Sequence, residues 1–312
     1  PKSENGLLSF SCSRKLNKDI KEDLTYCVGM NEISVITPYI IDKSHLVASF
    51  TTPDNNKVYV GEEEQNSDVS INDFASPINY KVMSEDGFIN NYTIKIKNTG
   101  LPIVCINTPD SAVINSKTEW MSGVSITIYN ADESIDYSND NLQIRGRGNT
   151  TWDYPKKPYA LKLDKKAEIL GMPKHKRWVL LANWMDRTLL RNEFAFEISR
   201  NTGLAWTPRG KFVEVILNGK HIGNYYLCEQ IKIDKNRVDI AEMKKTDIDG
   251  DNITGGYLME LDVYYDEVNK FKSEYRDLPY MFKDPDEDVL QPEQFEYLKN
   301  YVDSLESHLY SV

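Results

Sequence analysis

Apolar and polar positions alternate with a period of two through most of the first hundred residues. LLSFSC from Leu7, LTYCV from Leu24, ISVITPYI from Ile33, LVASFTT from Leu46, KVYVG from Lys57, VSINDF from Val69, INYKVM from Ile78 and NYTIKIK from Asn91 each read as a short strand between turn residues. In the last of these Tyr92, Ile94 and Ile96 share one face and Thr93, Lys95 and Lys97 the other. Strands spaced ~8 to 12 residues apart predict an antiparallel immunoglobulin-like β-sandwich over residues 1–98. The pattern breaks at NTGLP, Asn98 to Pro102, and a second domain is expected over 102–312.

That second stretch mixes periods. PIVCI, VSITIYN and LQIRGRG are strands leading into QIRGRGNTTWDYPKKPYALKL, Gln143 to Leu163. Here a glycine-punctuated turn, Arg145-Gly146-Arg147-Gly148-Asn149, runs through Lys156 and Lys157 into a strand with Tyr159, Leu161 and Leu163 on one face and Ala160 and Lys162 on the other. Ile169 to Pro173 is a turn and Trp178 to Ala182 a strand. Asp186 is placed to cap a helix whose apolar positions Leu189, Leu190, Phe194 and Ile198 fall at helical spacing, closed by Gly203. Its polar candidates are Arg191, Asn192, Glu193 and Glu197. Phe212 to Leu217 and Tyr225 to Ile231 are strands joined through the hairpin signal Asn218-Gly219, and Glu229 lies near the end of the second. GGYLMELD follows, with Glu260 and Asp262 on one strand face. A final helix opens at Pro292 with an apolar stripe of Phe295, Leu298, Tyr301 or Val302, Leu305 and Leu309. The fold class is therefore mainly β, with an α+β second domain.

Charge sharpens this picture. Between Arg145 and Arg187 eleven Lys/Arg face four Asp/Glu, a balance of +7 in a chain of net −11, so the rest of the chain sums to −18. Such an island is either a solvated face or an anion site. Glycines that let backbone N–H groups approach a ligand, with lysine and arginine beside them, fit a phosphate site. The acidic total argues against nucleic acid as a partner. At 312 residues two domains are expected. No apolar run approaches the ~20 residues of a membrane span. The start PKSENG, without a signal-peptide pattern, reads as a mature or trimmed one, and the closing helix suggests a chain that stops inside a domain.

Cys12, Cys27, Cys105 and Cys228 lack metal-site spacing and read as buried thiols, with a Cys12–Cys27 bridge as the alternative. Histidines 45, 175, 221 and 308 are too scattered for a ligand set. TDIDGDN fails the calcium-hand pattern, because counting from Asp247 puts Asn252 at the sixth position and Leu258 at the twelfth; it is expected to be an exposed acidic turn. No metal site is expected from these residues.

Four blocks together resemble the spore-coat protein H (CotH) kinases, atypical protein kinases: IRGRGNTTWDYPKKPYALKL, LGMPKHKRWVLLANWMDRTLLRNEFAFEIS, FVEVILNGKHIGNYYLCEQIKI and GGYLMELD. The first domain resembles the Ig-like modules that precede functional domains in Bacteroides-type surface proteins. The resemblance implies ATP with Mg as cofactor, a protein as substrate and a place at the cell envelope or outside the cell. It implies that RGRGN covers phosphates, with Gly146, Gly148 and Asn149 in the turn and Arg145 and Arg147 assisting. It further implies that Lys162, or failing it Lys157, pairs with phosphate oxygens, that Glu193 or Glu197 orients that lysine, and that Glu229 to Ile231 lie beside the adenine. The family's metal-binding WDFD-like segment does not occur after Asp262, so no catalytic residue is assigned, and a chain lacking the C-terminal part of its domain is expected. The competing reading is a non-catalytic surface binding or adhesion protein that uses the basic island for an anionic ligand. A hydrolase built on Glu260 and Asp262 is the third.

Overall fold

The computed structural model describes residues 6–25, 31–53 and 55–311. Among the described residues ten strands precede the NTGLP break: β1 (Ser9–Cys12), β2 (Leu24–Thr25), β3 (Glu32–Thr37), β4 (Leu46–Val47), β5 (Ser49–Thr51), β6 (Lys57–Val60), β7 (Glu63–Gln65), β8 (Ile71–Asn72), β9 (Ile78–Met83) and β10 (Ile89–Asn98). They form a three-stranded sheet β2-β1-β5, a five-stranded sheet β3-β10-β9-β6-β7 and the pair β4-β8. Phe10 and Phe50 from the smaller sheet share one core with Val35, Tyr80 and Ile94 from the larger. The alternation along β10 holds: Tyr92, Ile94 and Ile96 point inward. One pairing departs from the antiparallel expectation, because β3 runs parallel to β10.

The sandwich core does not end at the break. Ile103 and Ile216, from the next body, are buried in it. The Tyr39 hydroxyl accepts the His221 amide at 3.0 Å, and Lys43 pairs with Glu133 at 2.9 Å.

The next body is a closed seven-stranded barrel. Its strands are β11 (Ile103–Asn107), β12 (Met121–Tyr129), β13 (Ile135–Gly146), β14 (Tyr159–Ile169), β15 (Met172–Leu181), β16 (Gly210–Leu217) and β17 (Lys220–Glu229), in the order β11-β12-β13-β14-β15-β17-β16, with β16 closing in parallel on β11. Inward alternation fills it with Ile126, Ile144, Leu161, Trp178, Leu180 and Val213. Turn chemistry sets the register: Leu170 and Gly171 (φ 51° and 73°) join β14 to β15, and Asn218 and Gly219 (φ 50° and 77°) join β16 to β17.

The short helix α1 (Thr150–Asp153) lies between β13 and β14, and α2 (Arg191–Asn201) between β15 and β16. The helix expected after Asp186 starts later, at Arg191; Asp186 caps it from outside by accepting the Arg191 amide at 2.8 Å. Its expected apolar stripe is not core, since Leu190, Phe194 and Ile198 are exposed and Phe196 does the packing.

A small sheet, β18 (Leu258–Leu261), β19 (Lys270–Lys272) and β20 (Pro279–Asp284) in the order β18-β20-β19, packs on helix α3 (Pro292–Tyr310). Of the stripe expected on α3, Phe295, Leu298 and Val302 pack, whereas Tyr301, Leu305 and Leu309 are exposed. TDIDGDN is an exposed turn, and buried Gln294 of α3 donates to the Lys244 and Asp247 carbonyls beside it. Cys12, Cys105 and Cys228 are free thiols, and Cys27 lies outside the described residues.

Candidate functional site

The barrel buries both faces of four adjacent strands. Register fixes the outer row Arg145–Ala160–Val179–Cys228 across β13, β14, β15 and β17, and a second row of Gln143, Lys162 and Arg177. A third row holds Leu181 and Tyr226. With a side-chain period of two, Arg147 falls on the same face as Arg145. Opposite stand Leu258, Met259, Glu260 and Lys283 of the small sheet, enclosing a cleft of about 360 Å³ whose floor is Val179, Leu181 and Cys228. Gln230 and Ile231, just past β17, form its edge.

The glycine segment closes one end. Arg145 and Gly146 are still strand, so the turn proper begins at Arg147. A Cβ on Gly146 would sit 2.3 Å from the Trp152 ring, so glycine is required for that indole to lie on the backbone. Gly148 adopts φ 87° and Asn149 leads into α1. The lysine pair ties the loop down: Lys157 donates to the Trp152 carbonyl at 2.5 Å, and the Lys156 ammonium bonds the Asn224 carbonyl and lies 4.5 Å from the Tyr225 ring. From α1, the Thr150 hydroxyl bonds the Tyr264 hydroxyl beside the small sheet, so the loop spans the cleft.

Arg147 is one of the cations this arrangement leaves without an ion pair among the described residues. Burial lowers its affinity for the proton, and Glu260 acts in the opposite sense. A desolvated guanidinium without a partner is costly unless a ligand supplies one.

The other expected residues are placed differently. Lys162 lies four residues beyond Pro158, about 13 Å along β14 at the rise of a strand, and its ammonium is 6.0 Å from the Trp120 ring. Arg145 and Arg177 also gather at Trp120. Glu193 accepts from Tyr226 and from Arg200 at 2.8 Å, and Glu197 accepts from Arg200 at 2.7 Å, so the α2 carboxylates clamp Arg200. Glu229 is buried; it accepts from Arg209 Nε, Nη2 and backbone N at 2.9 to 3.0 Å, with Arg237 Nε 3.9 Å away. Arg237 stacks on Trp178, donates to the Gln230 carbonyl, and is pushed down to about 10 chiefly by burial. Glu229 therefore braces the edge segment through Arg237, which holds the Gln230 carbonyl, while Arg209 ties it to the Asn236 carbonyl.

Trp120, Arg209, Arg237 and Tyr226 were not singled out by sequence reasoning. Arg177 stood in the basic island without a distinguishing signal. Glu260 pairs with Lys283 at 3.1 Å. Among the described residues no group of three His, Cys, Asp or Glu gathers in metal-binding geometry.

A family model described as CotH kinase protein matches residues 144–311, and one described as SGBP, N-terminal, matches residues 10–96. No curated protein matches the chain. A solved structure from Bacteroides thetaiotaomicron, provisionally described as a glycoside hydrolase, aligns at 18% identity over 61% of this chain. The chain spans only 56% of that protein's length, and the TM-score of 0.26 carries no inference about fold or chemistry.

Proposed function

The chain belongs to the CotH kinase protein family, and from that premise we propose that the cleft between barrel and small sheet binds an adenine nucleotide, as the ATP-binding part of a protein-phosphorylating surface protein. Unpaired Arg147 beside the glycine turn carries this reading. It stands at one end of an apolar slot, where a purine fits between Val179 and Cys228 on one side and Leu258 and Met259 on the other. Phosphates then point to Arg147 and the turn at Gly148. Lys157, by its bond to the Trp152 carbonyl, holds the turn in place.

The donor set does not fit magnesium. Glu229 is taken up by two arginines and Glu260 by Lys283, so neither carboxylate is free to hold a metal ion. The residues supply binding and orientation of a nucleotide. Transfer to a protein would need charge neutralisation from elsewhere.

The match of residues 10–96 supports a second reading, a surface-binding protein at the cell envelope or outside the cell in which the basic island holds an anionic ligand without catalysis. No helix among the described residues is long and apolar enough to cross a membrane. A titration of the full chain with ADP and with a polysulfated glycan separates the two readings. ADP should bind, and Arg147→Ala should weaken it about tenfold or more, as for a lost charged hydrogen bond. Glycan binding with no response to ADP would sink the nucleotide reading.

A further inference from the structure

Past the edge segment, the outer face of the barrel opens into a second cavity of about 570 Å³, within the size range of small-ligand sites. One wall is Trp120 with Arg145 and Arg177, whose guanidinium carbons lie 4.6 and 4.9 Å from the ring centroid; Lys162 stands behind at 6.0 Å. The facing wall carries Glu267 and residues 286–288.

Three cations around one indole repel each other, and the acidic wall offsets this only in part: Glu267 acts on Arg145 and Asp286 on Arg177 without forming an ion pair with either. Glu267 pairs with Lys283 and Asp286 with Lys232, while no ion pair reaches Arg145, Arg177 or Lys162 among the described residues. Arg145 gives Nη1 to the Thr118 carbonyl at 3.0 Å, but its buried Nε has no hydrogen-bond partner. Burial pushes both guanidiniums towards deprotonation. Charged donors left in this state are satisfied when a ligand brings acceptor oxygens.

We propose that this cavity is a phosphate-monoester site, separate from the nucleotide cleft, in which Arg145 and Arg177 hold the phosphate oxygens beside Trp120 and Lys162 adds charge. A monoester carries about −1.5 to −2 charges near neutral pH and three acceptor oxygens, which suits two guanidiniums and an ammonium. Arginine's planar fork favours such oxyanions over a point contact. The acidic wall limits how much negative charge the cavity accepts. The inference rests on the nucleotide reading only in assigning the nucleotide's own phosphates to the Arg147 end.

The test is calorimetric titration of the full chain with O-phospho-L-serine, inorganic phosphate and O-sulfo-L-serine, with circular dichroism confirming the fold of each variant. Phosphoserine is expected to bind more tightly than the sulfate ester. Arg145→Gln with Arg177→Gln should weaken it about tenfold or more, Arg177→Lys should retain part of the affinity, and Glu267→Gln with Asp286→Asn should tighten it. Preference for phosphoserine over inorganic phosphate marks an esterified ligand, and the reverse marks free phosphate and overturns the monoester assignment. Equal binding of sulfate and phosphate esters, or loss with Arg147→Ala but not with the double arginine variant, overturns the site. If phosphoserine competes with ADP and the double variant loses both, the arginines serve the nucleotide's phosphates; the separate site falls and the nucleotide reading stands. Phosphoserine binding through Arg145 with no ADP binding has the opposite meaning.

Discussion

The sandwich and the barrel use the same alternation to different ends. In the larger sheet of the sandwich one face is core and the other is solvated: Lys95 pairs with Glu32 at 2.7 Å in the open, and Lys81 rests on Tyr59. In the barrel the inner face is apolar core, while the outer face of β13, β14, β15 and β17 is covered by Trp120, α2 and the small sheet. Charges on a solvated face find water or a neighbour. Charges on a covered face need a partner of their own, and Arg145, Arg147 and Arg177 lack one. A covered basic face, rather than basic composition, is what marks a site.

The need of a buried charge for its partner is tested most sharply by Glu229→Ala, at the end of the barrel and on the same strand face as Trp178. Removing the buried carboxylate leaves Arg237 fully buried and Arg209 without its bidentate partner, and should cost about 3 to 5 kcal/mol of folding stability, read by denaturant unfolding. A change below about 1 kcal/mol would mean that the two arginines find water at this end of the barrel.

A second effect follows from pH. Burial, with Arg237 nearby, holds His175 down at about 4, against 6.5 for a free imidazole. Asp234 opposes this only in part. The unfolded chain binds a proton there before the folded one does, so the stability from neutral His175 is present above about pH 6.5 and is lost as pH falls towards 4. The loss is of order 3 kcal/mol at about 1.4 kcal/mol per unit, and His175→Gln should flatten that part of the stability-against-pH curve. An unchanged curve would remove His175 as its source.

The smallest effects should come from the solvated faces. Lys95→Ala, which breaks the exposed Lys95–Glu32 pair, should leave the melting midpoint within experimental error. Phe194→Ser on the exposed side of α2 should do the same, because that side chain leaves little water behind on folding. A clear drop for Phe194→Ser would show that the exposed stripe of α2 is covered in solution.

Much of the strand pattern was legible. The faces of β10 and β14, the turns at Leu170-Gly171 and Asn218-Gly219, and the cap at Asp186 are local features, written within a few residues of where they act. The helical stripes were legible as spacing but not as burial. Leu190, Phe194 and Ile198 repeat as a core stripe would, yet the barrel meets α2 through Phe196. Nothing in the spacing says from which side a partner comes.

The candidate site divides in the same way. The sequence by itself determined that a glycine turn with two arginines leads into a strand, that cations concentrate between residues 145 and 187, and which residues share a strand face, because backbone conformation and side-chain alternation depend on near neighbours. Only the tertiary structure decided which charges are already paired. Strand register and the packing of α2 and the small sheet bring together residues far apart in the chain, Glu229 with Arg209 and Arg237, Glu193 with Tyr226, and Trp120 with Arg145 and Arg177. Whether a charge stands free depends on what lies within about 4 Å of it in space, and sequence distance does not report that.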